Sequence, residues 1–141
     1  MTIFTPEWIS ALHQSLNDNK AYQQYAATWE GSLLMVFMRE GQIDPESSPA
    51  VFLDLFHGEC RDAKVAGPED FEQADFILAA GGKEWKQVLD REIAPLMAIM
   101  RGKLKLKKGS IVTLARYADA AKEIVNSAAD LNAHIPDFWL E

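Results

Sequence analysis

The sequence predicts an α+β fold, on three observations: apolar residues fall at helical spacing near both ends of the chain, they alternate with a period of two through its middle, and Gly and Pro clusters separate the runs. A chain of 141 residues suits one domain, spanning 1–141, with no internal repeat and no low-complexity stretch.

Pro6 fits the first turn of a helix, where its missing N–H has no intrahelical partner, and Thr5 stands before it as N-cap. Trp8, Leu12 and Leu16 then share one face, and the helix is expected to end near Asn17. A second, short helix from Asn19 to Ala27 places Tyr22, Tyr25 and Ala26 on one side, so that residues 1–28 form an N-terminal helical unit.

From Trp29 to Met38 the run is short and rich in β-formers, which predicts a strand buried on both faces with Leu33, Met35 and Phe37 on one side. Gly41, Pro45, Ser47, Ser48 and Pro49 then mark an exposed hairpin loop. In the next strand Val51, Leu53 and Leu55 alternate with Phe52, Asp54 and Phe56, and His57-Gly58 makes the turn. A third strand from Glu59 to Ala66 is more polar and expected to be half solvated, ending at Gly67-Pro68. A fourth, from Ala74 to Ala80, is apolar and stops at Gly81-Gly82.

Trp85, Val88 and Leu89 recur at helical spacing through Lys83 to Arg91, and Pro95 opens a short helix that Gly102 closes. Strict alternation in Lys103-Leu-Lys-Leu-Lys107 predicts a half-buried fifth strand. Ser110 then caps what reads as the longest helix, ending near Ala133, with Ile111, Leu114, Ala118, Ala121, Val125, Ala128 and Leu131 in one apolar stripe. The tail, 134–141, carries Ile135, Phe138, Trp139 and Leu140, an apolar content that requires cover.

Composition excludes several function classes. No apolar run reaches the roughly 18 to 20 residues of a membrane-spanning helix. The first residues, Met1 to Glu7, lack the basic and apolar parts of a secretory signal, so a cytoplasmic location is the expectation. The formal net charge of -7 argues against a nucleic-acid partner, which needs a clustered cationic surface. His13, His57 and His134 stand apart and Cys60 is the single cysteine, so neither a metal site nor an internal disulfide is expected.

The block Pro95-Leu-Met-Ala-Ile-Met-Arg-Gly-Lys-Leu-Lys-Leu-Lys-Lys-Gly109 resembles the sterol carrier protein family, or nonspecific lipid-transfer proteins: a helix, then Gly-Lys-Leu, a strand, a basic residue and Gly before the last helix. The polar third strand, Ala74-Asp75 ahead of an apolar strand and the helix from Gly82 extend the likeness over most of 29–129, with the first 28 residues matching less closely. The resemblance implies a five-stranded, mostly antiparallel sheet covered on one face by helices, with an apolar tunnel between them. It further implies a carrier rather than an enzyme, with no cofactor, that holds a fatty acid, acyl-CoA, phospholipid or sterol as a monomer or dimer with transient membrane contact.

Candidate site residues follow from that tunnel. Leu33, Met35, Phe37, Phe76, Trp85, Leu89, Met97, Met100, Leu114 and Ala118 either line it or pack an ordinary core, since spacing does not separate the two. Phe138 and Trp139 either close the tunnel mouth or dock permanently on the surface. Lys103, Lys105 and Lys107 share one face of their strand, where they meet a head group or an anionic surface, or keep an edge strand solvated. Gly81-Gly82-Lys83 reads as a strand-to-helix turn without the full phosphate-loop pattern. Asp54, His57, Glu59, Cys60 and Asp62 lie close in sequence, but strand alternation separates Asp54 from His57 and a turn precedes Cys60, so a structural role is expected; His13 is expected to face solvent. The rival function is a non-catalytic interaction module that keeps the fold without a ligand.

Overall fold

The computed structural model describes residues 1–141. Helix α1 (Pro6–Asp18) starts at Thr5, whose hydroxyl donates to the Thr2 carbonyl and accepts a long bond from the Trp8 N–H. Its apolar face is fully used: Trp8, Ile9, Leu12 and Leu16 are all buried. Asn19 then closes α1 through its own N–H and opens α2 (Lys20–Tyr25), its side-chain oxygen accepting from the Tyr22 N–H at 2.9 Å. The same side chain donates to Ser127 Oγ at 2.9 Å, tying this corner to the C-terminal helix.

The sheet contains β1 (Glu30–Phe37), β2 (Ala50–Phe56), β3 (Glu59–Val65), β4 (Phe76–Ala80) and β5 (Lys105–Lys108) in the order β3-β2-β1-β4-β5. Three of the four pairings are antiparallel, and β1 and β4 run parallel with Leu33 opposite Phe76. As the alternation predicts, Leu33, Met35 and Phe37 face the larger core, built with α1, α4 (Gly82–Leu89) and α7 (Ala118–Ala129). Leu34 and Val36 point the other way into a smaller cluster with Ile77 and Ala79. Central β1 is therefore buried on both sides, whereas β3 is largely exposed and β5 is an edge.

Two details depart from the sequence reading, and a third resolves an alternative it left open. Gly67-Pro68 does not merely end β3; Pro68 starts a short helix, α3 (Pro68–Gln73), because the buried Asp70 carboxylate accepts from the Gly67 N–H at 2.8 Å and pairs with Lys64 at 3.3 Å. Phe71 of α3 packs on the smaller cluster, so this helix lies across the sheet from the others. The predicted long C-terminal helix is two helices, α6 (Ile111–Arg116) and α7, broken at Tyr117 with φ -113° and ψ 29°. The break has a tertiary cause: the Tyr117 ring meets Trp29 edge-on at 4.9 Å and its hydroxyl bonds Thr28 Oγ1 at 2.9 Å. Finally, the tail forms a 3-10 turn, Asp137–Leu140, that docks on α4 and β1. Short helix α5 (Pro95–Met100) packs against α7 through the buried Ala98.

Candidate functional site

Between the sheet and the α6–α7 pair lies a cavity of about 50 Å³ whose ten lining residues are all hydrophobic. Leu33 of β1, Leu55 of β2 and Leu78 of β4 form its floor, a geometry set by the strand register. Leu114, Tyr117, Ala120, Ala121 and Ile124 form its roof, and Tyr22 and Trp29 close one end. The space exists because two alanines stand where the α7 stripe crosses the sheet; bulkier side chains there would fill it. Its polar fringe consists of two phenols. Tyr117 is bonded to Thr28, and burial, reinforced by the neighbouring Cys60, pushes the Tyr22 hydroxyl well above the ordinary tyrosine range.

Of the residues picked out in the sequence, Leu33 and Leu114 line this cavity. Ala118 is half-buried beside Tyr117, at the hinge between the two helices. Met35, Phe37, Phe76 and Trp85 are buried core: Phe76 packs on Trp29 at 4.9 Å, and Trp85 donates its indole N–H to the Val36 carbonyl at 3.0 Å. Leu89 lies instead in a surface groove of about 690 Å³ with Ile3, Arg91 and Ile135. Met97 and Met100 are exposed on α5. Lys103 and Lys105 line a second groove, of about 480 Å³, with Phe37, Lys83 and Trp139, while Lys107 is solvent-exposed on β5.

Eight lining residues were not among the sequence candidates: Tyr22, Trp29, Leu55, Leu78, Tyr117, Ala120, Ala121 and Ile124. Tyr22, Leu55 and Ala121 carried a legible signal, since each already stood on a buried face. The alanines gave no hint of a ligand because a small side chain marks a gap only once its neighbours are known.

The two tail aromatics separate. Phe138 is exposed, whereas Trp139 is 5% exposed, stacked on Phe37 at 4.1 Å and 15° and edge-on to Phe4 at 5.3 Å. Gly82 is required for this docking: a Cβ there would lie 2.1 Å from the Trp139 carbonyl oxygen.

The Cys60 region is built for packing. The thiol is buried and donates to the Asp62 carbonyl at 3.4 Å. Burial first, then the Asp54 and Asp62 carboxylates, push it up to about 12, so the thiolate that nucleophilic chemistry needs is disfavoured. His57 sits in the turn with φ 49° and pairs with Glu30 at 2.7 Å. His13, expected in solvent, is instead half-buried, its Nε2 2.8 Å from the Cys60 carbonyl oxygen; Asn17 donates to the same oxygen at 3.0 Å and accepts from the Cys60 N–H at 2.8 Å. These polar contacts lock β3 onto α1, which is why both His13 and Asn17 turn inward.

A mixed sheet roofed by helices over an apolar seam defines the class: an α+β protein with a site for apolar contact. The chain belongs to the SCP-2 sterol transfer family, whose sequence profile matches residues 9–122. It is thus a member of a family of lipid and sterol carriers. Among solved structures it is similar to a sterol carrier protein 2, at 43% identity over 91% of this chain and 98% of the other, with a TM-score of 0.80. It is also similar to a conserved hypothetical protein from Thermus thermophilus, at 42% identity over 95% of this chain and 92% of that one, TM-score 0.81. Sterol carrier protein 2 from Yarrowia lipolytica in its apo form shares the fold at 19% identity over 86% of this chain and 89% of its own, TM-score 0.55. No curated protein matches the chain.

Proposed function

We propose that this protein carries a fatty acyl, acyl-CoA or related hydrophobic ligand, without chemistry, in the seam between the sheet and α6–α7. The observation that carries the reading is the wholly hydrophobic lining of the cavity in a chain of the sterol-transfer family. Each CH₂ of a bound chain transferred from water contributes about 0.8 kcal/mol, so an acyl tail needs no charged partner to bind well.

The cavity of about 50 Å³ is well below the roughly 300 to 1,000 Å³ of typical ligand sites, so binding requires that the seam widen into a tunnel. Helix α6 is the element suited to move. It buries none of its residues and lies between Gly109, with φ 108°, and the Tyr117 break. Outward rotation of α6 would carry Leu114 away from Leu33 and Leu78 while α7 stays anchored through Asn19. Met35 and Phe76, register partners of the lining residues Leu78 and Leu33, would join the lining as the seam opens; Trp139, on Phe37, would close the end beneath α4.

Titration of the delipidated protein with a fluorescent long-chain fatty acid tests this. Saturable binding that is lost in Ala121→Phe, with the fold retained by circular dichroism, is expected. Wild-type protein that refuses fatty acids, acyl-CoA and phospholipids alike would leave the interaction-module reading in its place.

A further inference from the structure

Three of the ten residues around the seam cavity carry a polar hydrogen on the side chain: Tyr22, Trp29 and Tyr117. Two of these are committed within the protein. Trp29 donates its indole N–H to the Gly31 carbonyl at 2.9 Å, and the Tyr117 hydroxyl bonds Thr28 Oγ1 at 2.9 Å. Tyr22 differs from both. It is 1% exposed, and the influences on its phenol are burial and the neighbouring Cys60, with no hydrogen bond among them. Cys60 in turn pairs across the β2–β3 ladder with Leu55 of the cavity floor, which places Tyr22 at the β2–β3 side of the seam. A hydroxyl enclosed by apolar side chains has lost its water without gaining a partner, an arrangement that native proteins rarely keep without a use for it.

We propose that Tyr22 selects the cargo: its hydroxyl donates a hydrogen bond to a neutral oxygen, a hydroxyl or a carbonyl, borne by the part of the lipid that enters the seam, a proposal that rests on the carrier reading and names the class of ligand. A free carboxylate does not suit that position. None of the ten lining residues is charged, so a carboxylate would leave water with no cation to replace its hydration. The charge near Cys60 is also of the wrong sign, since the Asp54, Asp62 and Glu59 carboxylates all act on its thiol in the direction that disfavours a further negative charge. The Arg61 guanidinium is already paired with Asp54 at 3.0 Å.

A neutral oxygen meets none of these obstacles. Burial holds the proton on the Tyr22 hydroxyl well above neutral pH, so the group remains a donor. A simple fatty acid then enters by its tail, leaves its carboxylate outside the cavity and gains nothing from Tyr22.

Tyr22→Phe tests the proposal, because it removes one oxygen and keeps the ring on the cavity wall. With no partner for the hydroxyl to lose, the ligand-free variant should melt at or above the wild-type temperature. Displacement of a fluorescent long-chain fatty acid by hexadecanol, hexadecane or palmitate, each delivered from cyclodextrin, then reads selectivity. The variant should bind hexadecanol roughly five- to tenfold more weakly than the wild type, the size of one net hydrogen bond, while its affinities for hexadecane and palmitate stay unchanged. A variant that melts below the wild type, an alcohol affinity untouched by the substitution, or an equal loss for all three ligands would each overturn the proposal. Any of those results beside firm palmitate binding by the wild type leaves the carrier reading standing; a wild type that binds none of the three ends both.

Discussion

Gly82→Ala isolates the docking of the tail. Gly82 is the first residue of α4 and has no left-handed backbone requirement, so by helix propensity alone alanine should add up to about 1 kcal/mol. The new Cβ, however, would lie 2.1 Å from the Trp139 carbonyl oxygen and 2.5 Å from its carbon, against a floor of about 3.0 Å for real contacts. The obstacle is backbone, so no change of rotamer relieves it, and Asp137–Leu140 must lift from α4. That movement breaks the Phe37–Trp139 stack and the edge contact with Phe4. Losing the burial of one large apolar side chain costs about 1.5–3 kcal/mol, and two aromatic contacts add about 0.5–1.5 kcal/mol each. After the helix gain, a net destabilisation of about 1.5–5 kcal/mol is expected, lowering Tm by roughly 5–20 °C. Thermal unfolding with tryptophan emission and limited proteolysis of the tail measures it. Trp139→Ala should cost a similar amount, and the double variant should cost less than the sum because both remove one docking. A Gly82→Ala protein that melts at or above the wild-type temperature with its tail still protected would refute the reasoning.

Alkaline stability should report Cys60. Its folded pKa, pushed up to about 12, lies above the unfolded value near 9, so between those limits the unfolded chain releases a proton that the native state keeps. The contribution is whole below about pH 9 and declines as pH rises through this window, by up to about 1.4 kcal/mol per unit. Tyr22 acts in the same direction at higher pH. Urea unfolding between about pH 8 and 10.5 should show a shallower loss in Cys60→Ala than in wild type, and equal slopes would refute the assignment. Trp85→Phe removes the indole donor from the Val36 carbonyl and should lower stability by about 1–3 kcal/mol, seen as a lower urea midpoint at unchanged m-value. Leu12→Ala, at a fully buried position of α1, should cost about 2–5 kcal/mol by the same assay.

Much of the sheet was legible because alternation is local. The inward faces of β1 and β2 follow from their own side chains, and the lysines of β5 announce an edge. What escaped sequence reading is set by distant partners. Ile111 to Leu131 keeps one apolar stripe on paper, yet Trp29 and Thr28 draw Tyr117 aside and split the helix, leaving Ile111 and Val112 exposed. His13 stands on an amphipathic helix with nothing beside it in sequence to indicate the Cys60 carbonyl 47 positions away. The cavity was the least legible feature. It depends on β2 and β4 bringing Leu55 and Leu78 to the same side of the sheet as Leu33 of β1, beneath two alanines, and that placement is a property of register rather than of any one segment.

The central claim is that the seam beneath α6–α7 takes up a lipid. Native mass spectrometry of the purified protein, followed by organic extraction, tests it most directly. A retained hydrophobic molecule displaced one-for-one by added long-chain fatty acid, with no such complex in Ala121→Phe, is the result predicted. A protein that emerges empty and stays empty in the presence of fatty acid, acyl-CoA and phospholipid would contradict it.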